Sequence, residues 1–254
     1  MDILASEIPV IAEIPLIKTG INTLFSNPND RSALAESFRI LTTNMDFVLP
    51  SQGGGKAIFC TSTIKGEGKT FISLNFSLAM ASLNKKVLLK GADLRNPQLH
   101  TYANINKNQL GLSNYLMDTS FDWRSSVKKV FDKQLNHDIL FSGAIPPNPA
   151  HLLANGNFET LIEEAKSLYD YVIVDLAPTI LVTDTLLVAH LADATICAVR
   201  ASYTDKKLIP FSVELSKTKR LLNMSYVING VKENGSYGYN YNYGYNYGYG
   251  DEES

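Results

Sequence analysis

TSTIKGEGKT, residues 61–70, decides the fold. The run before it, AIFCTS (57–62), is apolar and strand-like, and the residues from about Lys69 to Leu83 read as a helix, so the segment is a strand-to-helix turn. Gly66 and Gly68 let backbone N–H groups turn toward phosphate oxygens, and the helix start adds positive dipole. Lys69 supplies a point charge and the Thr70 hydroxyl can hold magnesium. Each part meets a need of a bound triphosphate, and Gly68-Lys69-Thr70 ends the segment as a Walker A loop ends. Thr63 stands where the consensus spacing has its first glycine.

Working outward, strand-like runs alternate with helix-like ones: VLLKGA (87–92), DILFS (138–142), YVIVDLA (171–177), ATICAVR (194–200) and SYVING (225–230). This is the rhythm of βαβ units, and the expected fold is α/β, a mostly parallel sheet flanked by helices. VIVDLAP closes a strand on Asp175, and VLLKGADLRNP closes another near Asp93 and Arg95. An aspartate at the C-terminal end of a strand beside the phosphate loop can reach magnesium through water.

Leu34, Phe38, Leu41, Met45 and Val48 recur at helical spacing, which predicts an amphipathic helix ended by Gly53–Gly55. Residues 1–30, with Pro9, Pro15 and Pro28, read as an extended arm or linker, 31–232 as the main domain, and 233–254 as a tail. The tail carries Tyr237, Tyr239, Tyr241, Tyr243, Tyr245, Tyr247 and Tyr249 among glycine and asparagine, and its composition predicts disorder.

The remaining composition restricts the function. With 254 residues, 45% hydrophobic and 19% charged, the chain can bury one ordinary core. A net charge of -2 predicts no nucleic-acid partner. Cys60 and Cys197 lie in apolar strand-like runs, and no histidine has metal-ligand spacing with another histidine or cysteine. Buried thiols predict a reducing, cytoplasmic compartment. The lack of a signal sequence, and of any apolar run of roughly 18 residues, predicts a soluble chain.

STIKGEGKT, ADLRNP, GLSNYL (111–116), SGAIPPNPAHLL (142–153), DYVIVDLAP and VINGV, in that order and followed by the tyrosine-rich tail, resemble the bacterial tyrosine kinases that regulate capsule and exopolysaccharide export. The resemblance spans roughly residues 8–231 plus the tail. It implies a MinD/ParA-like P-loop fold, ATP and Mg2+ as cofactors, and phosphorylation in trans of the seven tail tyrosines. It implies nucleotide contacts from Ser62, Lys65, Gly66, Glu67, Gly68, Lys69, Thr70 and Phe71, with Arg200 and Asn229 near the adenine. Catalytic roles fall to Lys69, Asp93, Asp175 and Arg95, and metal binding to Thr70, Asp93 and Asp175. Glu36 and Arg39 resemble an oligomer-contact motif, with Thr42 replacing its second arginine. The implied partners are further copies of the chain in a ring, a membrane-embedded polysaccharide co-polymerase segment, and a tyrosine phosphatase. The chain is expected at the inner face of the cell membrane.

The tail can reach a neighbouring subunit, since Val231 to Tyr249 extends to roughly 60 Å at about 3.4 Å per residue. Full phosphorylation adds on the order of ten or more negative charges. Gly91 replaces the aspartate that many family members carry at the start of the second acidic strand motif. That favours a rival reading, a catalytically weak, nucleotide-gated regulatory module. A positioning ATPase of the MinD/ParA type is the other rival. Ile64 stands where such proteins carry a signature lysine.

Overall fold

The computed structural model describes residues 6–17, 24–25, 29–51, 53–131, 134–180 and 183–232. Seven parallel strands form one sheet in the order β1-β7-β6-β2-β5-β3-β4. They are β1 (Val10–Pro15), β2 (Lys56–Ser62), β3 (Val87–Gly91), β4 (His137–Leu140), β5 (Tyr171–Asp175), β6 (Ala194–Arg200) and β7 (Met224–Val231). The helices are α1 (Ala33–Val48), α2 (Lys69–Ser82), α3 (Leu99–Ala103), α4 (Leu112–Met117), α5 (Pro149–Ala154), α6 (Asn157–Leu168), α7 (Asp184–Val188) and α8 (Ile209–Lys217).

Strand polarity explains why both faces are covered. The central strands are buried along nearly their whole length, as parallel strands between helical layers must be. One apolar layer joins α1 and α2 to Ile58, Leu89 and Ile173. The opposite layer joins α4, α5 and α6 to Phe59, Leu88, Val172 and Val174. α2 is buried almost all round, which accounts for its apolar composition: α1 packs over it on one side and the sheet on the other.

Two sequence expectations are corrected here. The extended lead-in is not a separate arm, because Val10–Pro15 pairs in parallel with β7 and buries Ile11, Ala12 and Ile14. Pro9 and Pro15 lie at the margins of this edge strand, where missing N–H donors disturb the ladder least. The second correction is at the end of α1, which stops at Leu49 before the glycines are reached. Pro50 forces its predecessor out of the helical region, and Leu49 is extended at φ -71° and ψ 143°. At its start, Ser32 caps the helix by accepting from the Ala35 amide.

Lys90 and His137 are among the titratable side chains buried in the layers. Lys90 is fully buried in β3, with its Nζ making no hydrogen bond and lying 4.4 Å from the centroid of the Phe158 ring. Its face is the one opposite the phosphate loop, and burial drives its pKa well below the ordinary lysine value. His137, in β4, meets Ser77 Oγ at 2.8 Å, and burial lowers its pKa to about 4.

Both groups yield stability predictions. Replacing Lys90 with Met should raise stability by on the order of 1–3 kcal/mol in urea titrations, since an unpaired polar group leaves the core. For His137, the unfolded imidazole binds protons near 6.5 and the folded one only near 4. The unfolded chain therefore holds more protons between those values, and stability is lost as pH falls through that window, by at most about 1.4 kcal/mol per pH unit. Urea midpoints between pH 7 and 4.5 should show this limb, and His137→Gln should flatten it.

Candidate nucleotide site

The sheet order brings the acidic motifs to the phosphate loop. β5 lies between β2 and β3, so Asp175 pairs in register with Cys60 on one side and Gly91 on the other. The loop after β2, the end of β5 and the turn after β3 therefore converge at the C-terminal edge of the sheet, where α/β folds bind ligands. A cavity of about 400 Å3 opens there, lined by loop and α2 residues Lys65, Gly66, Gly68, Lys69, Thr70 and Phe71. Asp93, Arg95 and Tyr102 close its other side.

Its floor is an ion cluster. Lys69 Nζ lies 2.9 Å from Asp93 Oδ2 and 3.4 Å from Asp175 Oδ1. The Thr70 hydroxyl donates to Asp175 Oδ2 at 2.8 Å. All three charged groups are buried. Burial pulls the Lys69 pKa down, but the carboxylates of Asp175 and Asp93 outweigh it and leave it raised. At Asp175 burial wins over Lys69 and Thr70, so its carboxyl is raised. Two carboxylates against one ammonium leave the cluster short of positive charge. With a hydroxyl beside them, these oxygens are the donor set a hard divalent cation takes.

The loop is held from outside the cavity. Gly68 adopts φ +99°, and a Cβ there would lie 2.1 Å from Asn229 Nδ2, so only glycine fits. Asn229 in turn donates to the Glu67 carbonyl at 3.0 Å, and Arg200 Nη1 to the Gly66 carbonyl at 3.1 Å. Glu67 is wholly buried, accepting from the Ile64 amide at 2.8 Å and from the Thr204 hydroxyl at 2.5 Å. Burial raises its carboxyl pKa while those hydrogen bonds pull it down.

The nucleotide-site residues singled out in sequence thus fall into three groups. Lys65, Gly66, Gly68, Lys69, Thr70, Phe71, Asp93 and Arg95 line the cavity, with Asp175 beneath Lys69 and Thr70. Ser62 and Glu67 turn their side chains inward, Ser62 donating to the Ile64 carbonyl at 2.8 Å, so what they can offer a nucleotide is backbone. Arg200 and Asn229 touch the back of the loop. Arg95 is also engaged, its guanidinium forked onto the buried Asp184 at 2.7 and 3.0 Å. Glu36 and Arg39 form an ion pair at 2.9 Å on α1, and the seven tail tyrosines lie outside the described residues.

Sequence reading missed Tyr102, Asp184, Tyr203 and Thr204. Tyr102 lines the cavity, Asp184 anchors Arg95, and Tyr203 donates to the Lys65 carbonyl at 3.0 Å. None belongs to a motif of fixed spacing. Thr204 and Tyr203 reach the loop only because β6 pairs with β2.

Gly91 has a steric explanation. A Cβ there would lie 2.7 Å from Ser142 Oγ and 3.2 Å from Leu99 Cδ1, and that serine hydroxyl donates to the Gly91 carbonyl at 2.9 Å. Ser142 fills the space into which a side chain at 91 would project.

Together the fold and the loop define a P-loop nucleoside triphosphate-binding protein. A family model described as an AAA domain (AAA_31) matches residues 55–225. Tyrosine-protein kinase YwqD of Bacillus subtilis (strain 168) is 34% identical over 211 residues, covering 82% of this chain and 87% of that protein. Tyrosine-protein kinase etk of Escherichia coli (strain K12) is 31% identical over 213 residues, 84% of this chain but 28% of its own length. The solved kinase domain of Escherichia coli ETK superposes with a TM-score of 0.78 at 27% identity, over 92% of this chain and 94% of that one. MinD of Pyrococcus horikoshii, complexed with Mg-ADP, shares the fold at a TM-score of 0.57 and 19% identity, over 69% of this chain and 70% of that one. The chain belongs to the AAA domain family and, within it, to the bacterial tyrosine-protein kinases.

Two outcomes are expected at this site. Asp175→Asn should weaken magnesium-dependent ADP binding by roughly 10–100-fold while leaving the metal-free affinity much less changed, as calorimetry with and without Mg2+ can read. Gly91→Asp should destabilise the fold by about 1–3 kcal/mol in denaturant titrations, and adding Ser142→Gly should recover part of the loss.

Proposed function

We propose that this chain is an ATP- and Mg2+-dependent protein tyrosine kinase that phosphorylates the tyrosine cluster 237–249 of another copy in trans. The observation that carries the reading is the buried cluster of Lys69, Asp93, Asp175 and Thr70 on the floor of the cavity. Its charge and its oxygen donors fit a magnesium-bound nucleotide. Magnesium, when bound, would neutralise charge on the transferring phosphates.

The residues would then divide the work. Backbone N–H groups at 65–70 cradle the phosphates, and Lys69 exchanges carboxylate partners for phosphate oxygens. Thr70, Asp175 and Asp93 hold the cation. Asp93, in the turn after β3, also orients the incoming phenol and receives its proton. Because phosphoryl transfer asks chiefly for positioning and charge neutralisation, one carboxylate in this turn is enough, and Gly91 leaves the reaction open. Arg95, tied to Asp184, shapes the wall of the cavity rather than moving freely within it.

The wider setting rests on likeness to the relatives. The kinase body extends to residue 232 and residues 233–254 form the substrate tail. Further copies assemble through α1, with Glu36 and Arg39 at the contact. The chain works at the inner face of the membrane beside a membrane-embedded co-polymerase, in exopolysaccharide or capsule synthesis, and a phosphatase reverses the modification. Among the described residues no helix is long and apolar enough to cross a membrane, so that attachment falls to another segment or partner. The relative etk, of which this chain covers 28%, shows that the kinase region also occurs within longer chains.

The rival is a nucleotide-gated regulatory module that assembles without phosphorylating, and the absent carboxylate at Gly91 favours it. Intact-mass analysis after incubation with Mg-ATP separates the two. Successive gains of one phosphate mass are expected; they should vanish in Lys69→Met, and the series carried by the tail should be lost in a chain ending at Glu233. ADP binding with no mass gain would decide for the regulatory module.

A further inference from the structure

Six of the thirteen tyrosines lie outside the tail: Tyr102, Tyr115, Tyr169, Tyr171, Tyr203 and Tyr226. Five are buried or half-buried, and Tyr203 alone is exposed, with 51% of its surface accessible. It sits in the turn that follows β6, where Ser202 adopts φ +58° and swings the next side chain over the phosphate loop. Its hydroxyl donates to the Lys65 carbonyl at 3.0 Å and packs on Gly66 so closely that a Cβ there would lie 2.7 Å from the phenol oxygen. Arg200 stands beside it, its guanidinium 5.2 Å from the ring centroid while Nη1 donates to the Gly66 carbonyl at 3.1 Å. An accessible phenol is thus built into the outer brace of the loop.

We propose that Tyr203 is a second phosphoacceptor, apart from the tail, and that a phosphoryl group on its oxygen releases the phosphate loop and lowers nucleotide affinity. The geometry leaves no room for the modified side chain where the phenol now lies. A phosphate ester has no O–H to donate to the Lys65 carbonyl, and its three oxygens cannot fit against Gly66. The new charge of about -1.5 to -2 also sits next to Arg200, which prefers a phosphate to a neutral carbonyl. Arg200 then leaves the Gly66 oxygen, and two adjacent loop carbonyls lose their donors together. Backbone N–H groups that must point at a nucleotide are no longer held in place.

This inference rests on the kinase reading, which supplies the donor. In the step, the Tyr203 oxygen bonds to the γ-phosphorus of ATP, the bond from that phosphorus to the β–γ bridging oxygen breaks, ADP leaves with the electron pair, and the phenol proton passes to a carboxylate or to water. Tyr203 is on the outer side of the loop and does not line the cavity of its own chain. The transfer is therefore made by a second copy, and its product is a copy with weakened nucleotide binding. Tail phosphorylation and loop release then oppose one another.

Peptide mapping by mass spectrometry of the full chain after incubation with Mg-ATP, with Lys69→Met as control, locates the phosphates. Phosphate on Tyr203 as well as on the tail is the expected result. Phosphate on the tail with none on Tyr203 overturns the proposal and leaves the kinase reading standing, while no phosphate anywhere sinks both. In parallel, phosphotyrosine incorporated at position 203 during translation should weaken ADP binding about tenfold or more, against less than about threefold for Tyr203→Phe, which loses one donor and keeps Arg200 in place. Equal ADP affinity of the phosphorylated and unmodified chains would overturn the release of the loop.

Discussion

A buried ammonium held between two carboxylates is the constraint on which this molecule depends. Lys69 cannot stay charged in the core without Asp93 and Asp175, and neither carboxylate can stay charged there without Lys69 and, for Asp175, the Thr70 hydroxyl. The four groups come from three separate places in the chain, and only the order β2-β5-β3 makes them neighbours. Such a cluster is poor at stabilising a fold, because desolvation offsets most of the Coulombic gain. What it provides is a set of oxygens short of positive charge beside a phosphate loop, which suits a nucleotide site.

The loop that carries Lys69 is positioned from the opposite side. Its carbonyls at 65, 66 and 67 accept from Tyr203, Arg200 and Asn229, and the buried Glu67 carboxylate ties the Ile64 amide to Thr204. With the carbonyls at 65–67 engaged outward, the N–H groups of those residues can be offered to phosphate oxygens. This division lets a flexible, glycine-bearing segment hold one shape before any ligand is bound. It also places the brace on the exposed end of β6, where it can be undone without disturbing the core.

Lys90 and Gly91 are adjacent in β3 with opposite surroundings. Gly91 faces the Ser142 hydroxyl and Leu99 on the site's side of β3, while Lys90 projects into the other apolar layer above Phe158. Side chains one residue apart in a strand point to opposite faces, so a change in one does not compensate for the other. The lysine faces the layer away from the nucleotide cavity, and the glycine leaves room for the Ser142 hydroxyl.

The α/β class, the P-loop and both acidic strand ends were legible in the sequence because each depends on local pattern: strand-like runs of apolar residues, a helix start after Gly66 and Gly68, and an acid closing a strand. The same locality accounts for the failures. Nothing near Pro9 or Pro15 revealed that Val10–Pro15 would pair with β7 more than 200 residues away in the chain, and the glycines at 53–55 looked like stronger stops than Pro50. Ser62, Glu67, Arg200 and Asn229 stood out in sequence, yet which way their side chains point follows from packing across β2, β6 and β7. Asp184 under Arg95, Ser142 against Gly91 and Tyr203 against Gly66 carry no motif at all. Sequence by itself determined what chemistry this chain could hold, since residue types and their spacing along one strand or loop fix that. Tertiary structure alone decided which groups share a charge, a hydrogen bond or a space, because those depend on strand order.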